Sequence, residues 1–334
     1  MRGYNERRVG RALGRGTAKA AGALRRAVTW AIERRYRVRT SDFVYLEDEG
    51  LAAESRVWHD PSDWVAVRRA LARLGIRRDD VFLDYGSGLG RALLVAARSP
   101  FRRVIGVEVS SDMTTRASAH VKRNRRRLRA QAVDLVVADA LTWPVPPDVT
   151  VVYMYCPFTG PVFDGVVRNL IASVDEHPRP LRIVYNYPVE HARLLATGRV
   201  RVLDVTSAQW PAARTAGPNV IVTYLVLPSD EALRREYVSR FPQTLGGAEQ
   251  WLGEYEPGYV LEKPERLGGV VLDRPSRGTA ALSAFALPAG GNELMGELVS
   301  VADASFAVAY GSSVAATVVG VLAAAGLVAR RRRR

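Results

Sequence analysis

The run Val81-Phe82-Leu83-Asp84-Tyr85-Gly86-Ser87-Gly88-Leu89-Gly90-Arg91 joins three patterns in one short stretch. Residues 81–85 are apolar and β-prone apart from Asp84, which predicts a buried strand. Gly86, Gly88 and Gly90 then alternate with other residues, predicting a turn that bends sharply and admits a ligand without a Cβ in the way. Residues 89–98 predict a helix. A strand, a glycine turn and a helix in that order make a nucleotide-binding geometry. Its dinucleotide form needs Gly-x-Gly-x-x-Gly. Counted from Gly86, the third glycine falls on Arg91, which argues against a dinucleotide oxidoreductase.

Moving outward, residues 60–228 alternate short apolar runs with helical stretches. Strands are predicted at 81–85, 103–108, 133–138, 149–155, 181–186, 200–206 and 219–227. Helices are predicted from Asp60-Pro61-Ser62 to Leu74, then at 89–98, 111–129, 161–174, 189–197 and 229–241. The first five strands are apolar enough for a parallel sheet covered on both faces. No helix separates the last two, so the sheet is expected to end antiparallel. The fold class is therefore α/β: Rossmann-like, doubly wound and mostly parallel, with an antiparallel last strand. The single cysteine, Cys156, excludes an intramolecular disulfide and a cysteine metal cluster, and four histidines without ligand spacing argue against a histidine metal site.

Residues 60–228 resemble the class I S-adenosylmethionine-dependent methyltransferases, whose first motif is D/E-x-G-x-G-x-G; here Asp84, Gly86, Gly88 and Gly90 occupy it. The resemblance implies S-adenosyl-L-methionine as cofactor. It also implies an acidic residue at the end of the second strand, for the ribose hydroxyls, and another after the third strand, near the adenine. Glu108 ends RVIGVE and Asp139 follows VDLVVA. A carboxylate can accept from both hydroxyls, or from an exocyclic amine. The fourth motif, Tyr153-Met154-Tyr155-Cys156-Pro157-Phe158, is similar to the N/D-P-P-Y/F stretch of methyltransferases acting on amino groups. Cys156 stands where an Asn is expected, and a thiol is a poor partner for an amine. That departure argues against N-methylation by the usual device. Cys156, Pro157 and Phe158 are expected to line the acceptor pocket, with Tyr155 and His191 as the candidate catalytic residues, His191 as a base. Trp64 and Tyr45 are candidates for closing the cofactor site. A more distant similarity is to the non-SET histone lysine methyltransferases and their bacterial relatives.

The formal net charge is +14, but its distribution argues against a nucleic-acid groove. Residues 1–40 carry +10 and residues 330–334 carry +5, leaving 41–329 at −1. Residues 1–40 read as a basic amphipathic arm, with Arg7, Arg8, Arg11, Arg15, Lys19 and Arg26 on one side and Leu24, Val28 and Ile32 on the other. Residues 41–228 form the methyltransferase-like domain and 229–305 an extension with poor periodicity. Residues 306–329 lack any charge and, as a helix about 36 Å long, would cross a bilayer. Residues 330–334 are a basic tail. The terminal arginines favour a cytoplasmic C-terminus, which for a single span conflicts with the cytoplasmic domain that the cofactor requires. Either the large domain overrides the short tail or the helix lies against the cytoplasmic face, and the expectation is a cytoplasmic body tethered to a membrane. The cluster Lys122, Arg123, Arg125, Arg126, Arg127 and Arg129 reads as a solvated helix end, with an anionic surface as the alternative. The expected function is methyl transfer to a small-molecule, lipid-linked or protein acceptor. The competing expectation is a membrane-associated module that keeps the fold without catalysis.

Overall fold

The computed structural model describes residues 21–42, 61–210 and 219–244. The chain divides into two compact units, Met1–Arg37 with Val260–Arg334, and Val38–Tyr259. In the first unit the described part is helix α1, residues 21–36, on which Leu24, Val28 and Ile32 are buried and Arg26 is exposed. The expected spans at 306–329 and 330–334 lie outside the described residues. Among those described, no helix is long and apolar enough to cross a membrane.

The second unit contains α2 (Trp64–Ala72), β1 (Val81–Tyr85), α3 (Arg91–Ala96), β2 (Arg103–Glu108), α4 (Ser111–Asn124) and β3 (Ala132–Val137). It continues with β4 (Val151–Tyr155), α5 (Gly160–Glu176), β5 (Leu181–Asn186), α6 (His191–Ala196), β6 (Val200–Ser207), β7 (Val220–Val226) and α7 (Glu231–Arg240). The strands form one sheet in the order β3-β2-β1-β4-β5-β7-β6. The first five are parallel, and β7 runs antiparallel to both β5 and β6. Strand order reverses between β1 and β4, and ligands of such sheets bind at the carboxyl ends beside that switch point.

The expected elements form, with three physical differences. Helix α2 begins at Trp64 because Asp63, rather than Asp60 or Ser62, caps it; its carboxylate accepts from the N–H of Val65 and Ala66. Helix α4 stops at Asn124 and tightens into a 3-10 turn at Arg125–Arg127, because Leu128 and Ala130 turn inward and are buried. Strand β3 is not covered on both faces: it is an edge strand, no helix follows it before β4, and Val137 is 52% exposed. Helix α7 packs through Tyr237 onto Leu203, Leu225 and Leu227, so the packing of this unit continues past residue 228.

The parallel strands all point their carboxyl ends at one edge of the sheet. Lys122, Arg123, Arg125, Arg126, Arg127 and Arg129 are exposed at the opposite edge, where α4 ends. Arg125 donates to the carbonyl of Gln131 at 2.9 Å. A six-residue strand spans about 20 Å, which sets the separation between that basic cluster and the switch point.

Candidate functional site

The glycine turn leaves β1 with Gly86 at φ 71°, Gly88 at 51° and Gly90 at 81°, all in the left-handed region. Gly86 is also held by close approach. A Cβ there would lie 2.6 Å from Cβ of Pro157, at the end of β4. The turn is pinned to β2 because the N–H groups of Gly86 and Ser87 both donate to the Val107 carbonyl, at 2.9 and 3.1 Å. Gly90 N–H closes it onto the Ser87 carbonyl at 2.9 Å.

Glu108 is buried and braces this turn. Gly88 N–H donates to its Oε2 at 2.8 Å, while Val109 and Ser110 N–H donate to Oε1 at 2.9 and 3.0 Å. Asp84, on β1, is buried with no hydrogen bond among the described residues. Burial holds its carboxyl well above the usual carboxylate range, and the nearby Glu108 charge adds to the effect. The Ser87 hydroxyl is also buried without a hydrogen-bond partner among the described residues. Asp139 sits at the end of β3, where its Oδ1 accepts from Leu141 N–H at 2.9 Å and caps a turn.

Most of these residues line one solvent-open cleft at the carboxyl edge of the sheet. Asp84, Gly86, Glu108 and Asp139 form one side of it, with Ser87, Val107 and Met113. Gly88 and Gly90 shape the turn without appearing on the lining. Tyr155, Cys156, Pro157 and Phe158 line the other side. Cys156 is a non-glycine residue at φ 40°, and burial, then the Glu190 charge, pushes its thiol up to about 12. His191 does not line this cleft. It is buried at the start of α6, its Nδ1 lies 2.6 Å from the Tyr224 hydroxyl, and burial lowers its pKa.

Other lining residues escaped sequence reasoning. Tyr153 and Ser62 face the cleft and share a 2.7 Å hydrogen bond between their hydroxyls. Arg91 entered the sequence argument only as a missing glycine. It is buried on the cleft wall, donating to Thr40 Oγ1 at 2.8 Å, the Ser62 carbonyl at 2.8 Å and Ser41 Oγ at 2.7 Å. Its guanidinium also lies 5.2 Å from the Trp64 ring centroid. The available signal was positional: an arginine opening a helix opposes the helix dipole, so its charge calls for tertiary partners. Trp64 thus reaches the cleft through Arg91, and Tyr45 lies outside the described residues.

Residues 82–177 match the model of a methyltransferase domain. Solved structures similar to this chain include the YcgJ protein of Bacillus subtilis, at 12% identity over 50% of this chain and 99% of that one, with a TM-score of 0.38. Another is a SAM-dependent methyltransferase of Aquifex aeolicus, at 16% identity over 50% and 93%, with a TM-score of 0.37. A third is an RNA methyltransferase of Salinibacter ruber in complex with S-adenosyl-L-homocysteine, at 21% identity over 51% and 95%, with a TM-score of 0.36. No curated protein matches the chain.

The cleft has polar groups suited to S-adenosylmethionine. Asp84 offers a buried carboxylate to a cationic amino group, and Ser87 offers a buried hydroxyl. The Gly86 backbone is exposed on the cleft wall. Glu108 and Asp139 add carboxylates further along the same wall.

Proposed function

We propose that this chain is an S-adenosylmethionine-dependent methyltransferase, with the cofactor held by Asp84, the Gly86–Gly90 turn, Glu108 and Asp139. The observation that carries this reading is Asp84: a buried carboxylate with no hydrogen bond among the described residues, on the wall of a cleft whose opposite side is aromatic. An ammonium group is the natural partner for such a carboxylate. When bound, the cofactor supplies an activated methyl group on a sulfonium. The protein's part is alignment and water exclusion. The Gly86–Pro157 contact fixes the glycine turn against the end of β4, so the two walls keep one spacing. Phe158 packs edge-on against Tyr85, at 6.3 Å between centroids, and holds the acceptor wall apolar.

The direct test is transfer of a radiolabelled methyl group from S-adenosylmethionine to fractionated membrane and soluble extract by the full chain. Label in any fraction, lost in Asp84→Ala, supports the reading. No transfer together with no cofactor binding refutes it.

The tether is part of the same proposal: residues 306–329 would anchor the body, giving lipid-linked and membrane-protein acceptors an advantage. Its support is the uncharged 24-residue run followed by five arginines. Sedimentation of the full chain with membranes, abolished by deleting 306–334, is the expected result. Unchanged sedimentation of the truncated chain removes the tether.

A further inference from the structure

Strands β4 and β5 leave the sheet by the same turn. Tyr155-Cys156-Pro157 ends β4 and Asn186-Tyr187-Pro188 ends β5, with Tyr155 and Asn186 partners in the parallel ladder. Cys156 has φ 40° and Tyr187 has φ 54°, and each is followed by proline. A left-handed conformation strains a non-glycine residue. Such strain persists where the surroundings over-determine it, and it clusters at functional sites. Two adjacent copies place Asn186 beside Tyr155, a residue of the cleft wall.

Asn186 is 2% exposed. Its Nδ2 donates to the Tyr153 hydroxyl at 3.0 Å, which in turn shares the 2.7 Å bond with Ser62. Its Oδ1 has no partner among the described residues, and Asn186 itself is not on the cleft lining. A buried acceptor left unsatisfied is costly, and an orphan in an otherwise connected network calls for an explanation. The other two members of that network, Tyr153 and Ser62, line the cleft.

We infer that Asn186, seated on Tyr153 and Ser62, accepts the N–H of a nitrogen acceptor, supplying from β5 the amide that Cys156 does not supply from β4. This deepens the methyltransferase reading and rests on it. The acceptor class follows from the chemistry of that wall. A hydroxyl acceptor must lose its proton as it attacks, and the wall formed by Ser62, Tyr153, Tyr155, Cys156 and Phe158 offers no base near neutrality. Burial pushes the thiol of Cys156 and the phenol of Tyr153 up, and His191 lies off the wall. A neutral nitrogen needs no base. Its lone pair forms the N–CH₃ bond, the methyl–sulfur bond gives its electron pair to sulfur, and the extra N–H proton passes to water.

The test compares full-length wild type, Asn186→Leu and Asn186→Asp in labelled-methyl transfer to cell extract, with S-adenosylhomocysteine calorimetry on each. The expected result is S-adenosylhomocysteine affinity within about twofold throughout, and at least a hundredfold loss of transfer in Asn186→Leu. Transfer within about tenfold of wild type is expected in Asn186→Asp, which keeps an accepting oxygen. The labelled product resists mild alkali, as an N-methyl group does. Sites built to hydrogen-bond a substrate reject its absence by comparable factors. Equal transfer by Asn186→Leu and wild type, equal loss in both variants, or label released by alkali as methanol from an ester overturns the inference alone. Wild type that binds S-adenosylhomocysteine and transfers nothing overturns the methyltransferase reading, and this inference with it. Should Asn186→Leu lose S-adenosylhomocysteine binding, Tyr153→Phe serves as the second variant, and full transfer by it overturns the network.

Discussion

On the β1–β2 wall of the cleft, Gly86, Ser87 and Gly88 are tied to Val107 and Glu108 by backbone hydrogen bonds, and the free chemistry is a carboxylate. On the β4–β5 wall, rings and a high-pKa thiol surround one short chain of neutral polar groups. The first wall is rigid and electrostatic, as suits a charged ligand of fixed shape. The second is apolar, and the polar chain that joins it includes the Asn186 Oδ1, unsatisfied among the described residues. On the proposed function, the contrast means that one sheet edge separates cofactor holding from acceptor choice. Substitutions should therefore split cleanly into those that change cofactor affinity and those that change transfer.

Glu108→Ala should have the largest effect. It leaves the N–H groups of Gly88, Val109 and Ser110 without their carboxylate. Hydrogen bonds to charged groups contribute about 1.5–3 kcal/mol each. Calorimetry should show S-adenosylhomocysteine affinity falling at least a hundredfold (about 2.7 kcal/mol), with a lowered melting temperature. Unchanged affinity would mean that the brace and the ligand site are separate, and the comparison would break.

Gly86→Ala comes next. The added Cβ meets the ring of Pro157 at a backbone angle that costs an L-residue about 1–2 kcal/mol. Denaturant melts should show about 2–3 kcal/mol of lost stability. Pro157→Ala in the same chain should return part of it, since the two residues share one contact. Strict additivity would show that the walls do not touch there.

Asp84→Asn should weaken S-adenosylhomocysteine about tenfold and flatten its pH dependence. Burial raises the Asp84 carboxyl in the free protein. The ligand's ammonium favours the ionised form, so wild-type affinity rises with pH through a window above the ordinary carboxylate range. Folding runs the other way. A raised pKa means the folded state holds its proton more tightly, so the Asp84 contribution to stability is lost as pH climbs through that window. A wild-type profile that is flat above the ordinary carboxylate range contradicts the assignment.

On the other wall, His191→Gln should leave methyl transfer within about threefold, because its ring lies behind the cleft against Tyr224. Its signature is in stability. Burial lowers its pKa, so the unfolded chain takes up a proton more readily, and stability falls as pH drops below the ordinary histidine range. The variant should lose that acid slope in thermal melts, whereas a collapse of transfer would restore His191 as a base. Cys156→Ala is the smallest perturbation, at about 1 kcal/mol of stability or less with cofactor affinity unchanged.

The cofactor wall was legible because local patterns encode it. Alternating glycines, an acidic residue before them and strand-end carboxylates at Glu108 and Asp139 all sit within or beside one continuous strand–turn–helix pattern. The acceptor wall depends on register between strands distant in sequence. Asn186 meets Tyr153 across β4 and β5, and Ser62 reaches Tyr153 from before α2, so no local spacing announces them. Arg91 was visible but read only for what it was not. His191 was placed at the right helix start, yet no sequence pattern says which side of the sheet its ring meets. The exposure of β3 likewise follows from a connection without a helix, although its apolar sequence resembles that of its covered neighbours.

The most direct measurement is calorimetric titration of the full-length protein with S-adenosylhomocysteine, beside Glu108→Ala and Asn186→Leu. One site per chain is expected, weakened at least a hundredfold in the first variant and kept within about twofold in the second. Absence of binding by the wild type, or equal weakening by both substitutions, would contradict a cleft divided into a cofactor wall and an acceptor wall.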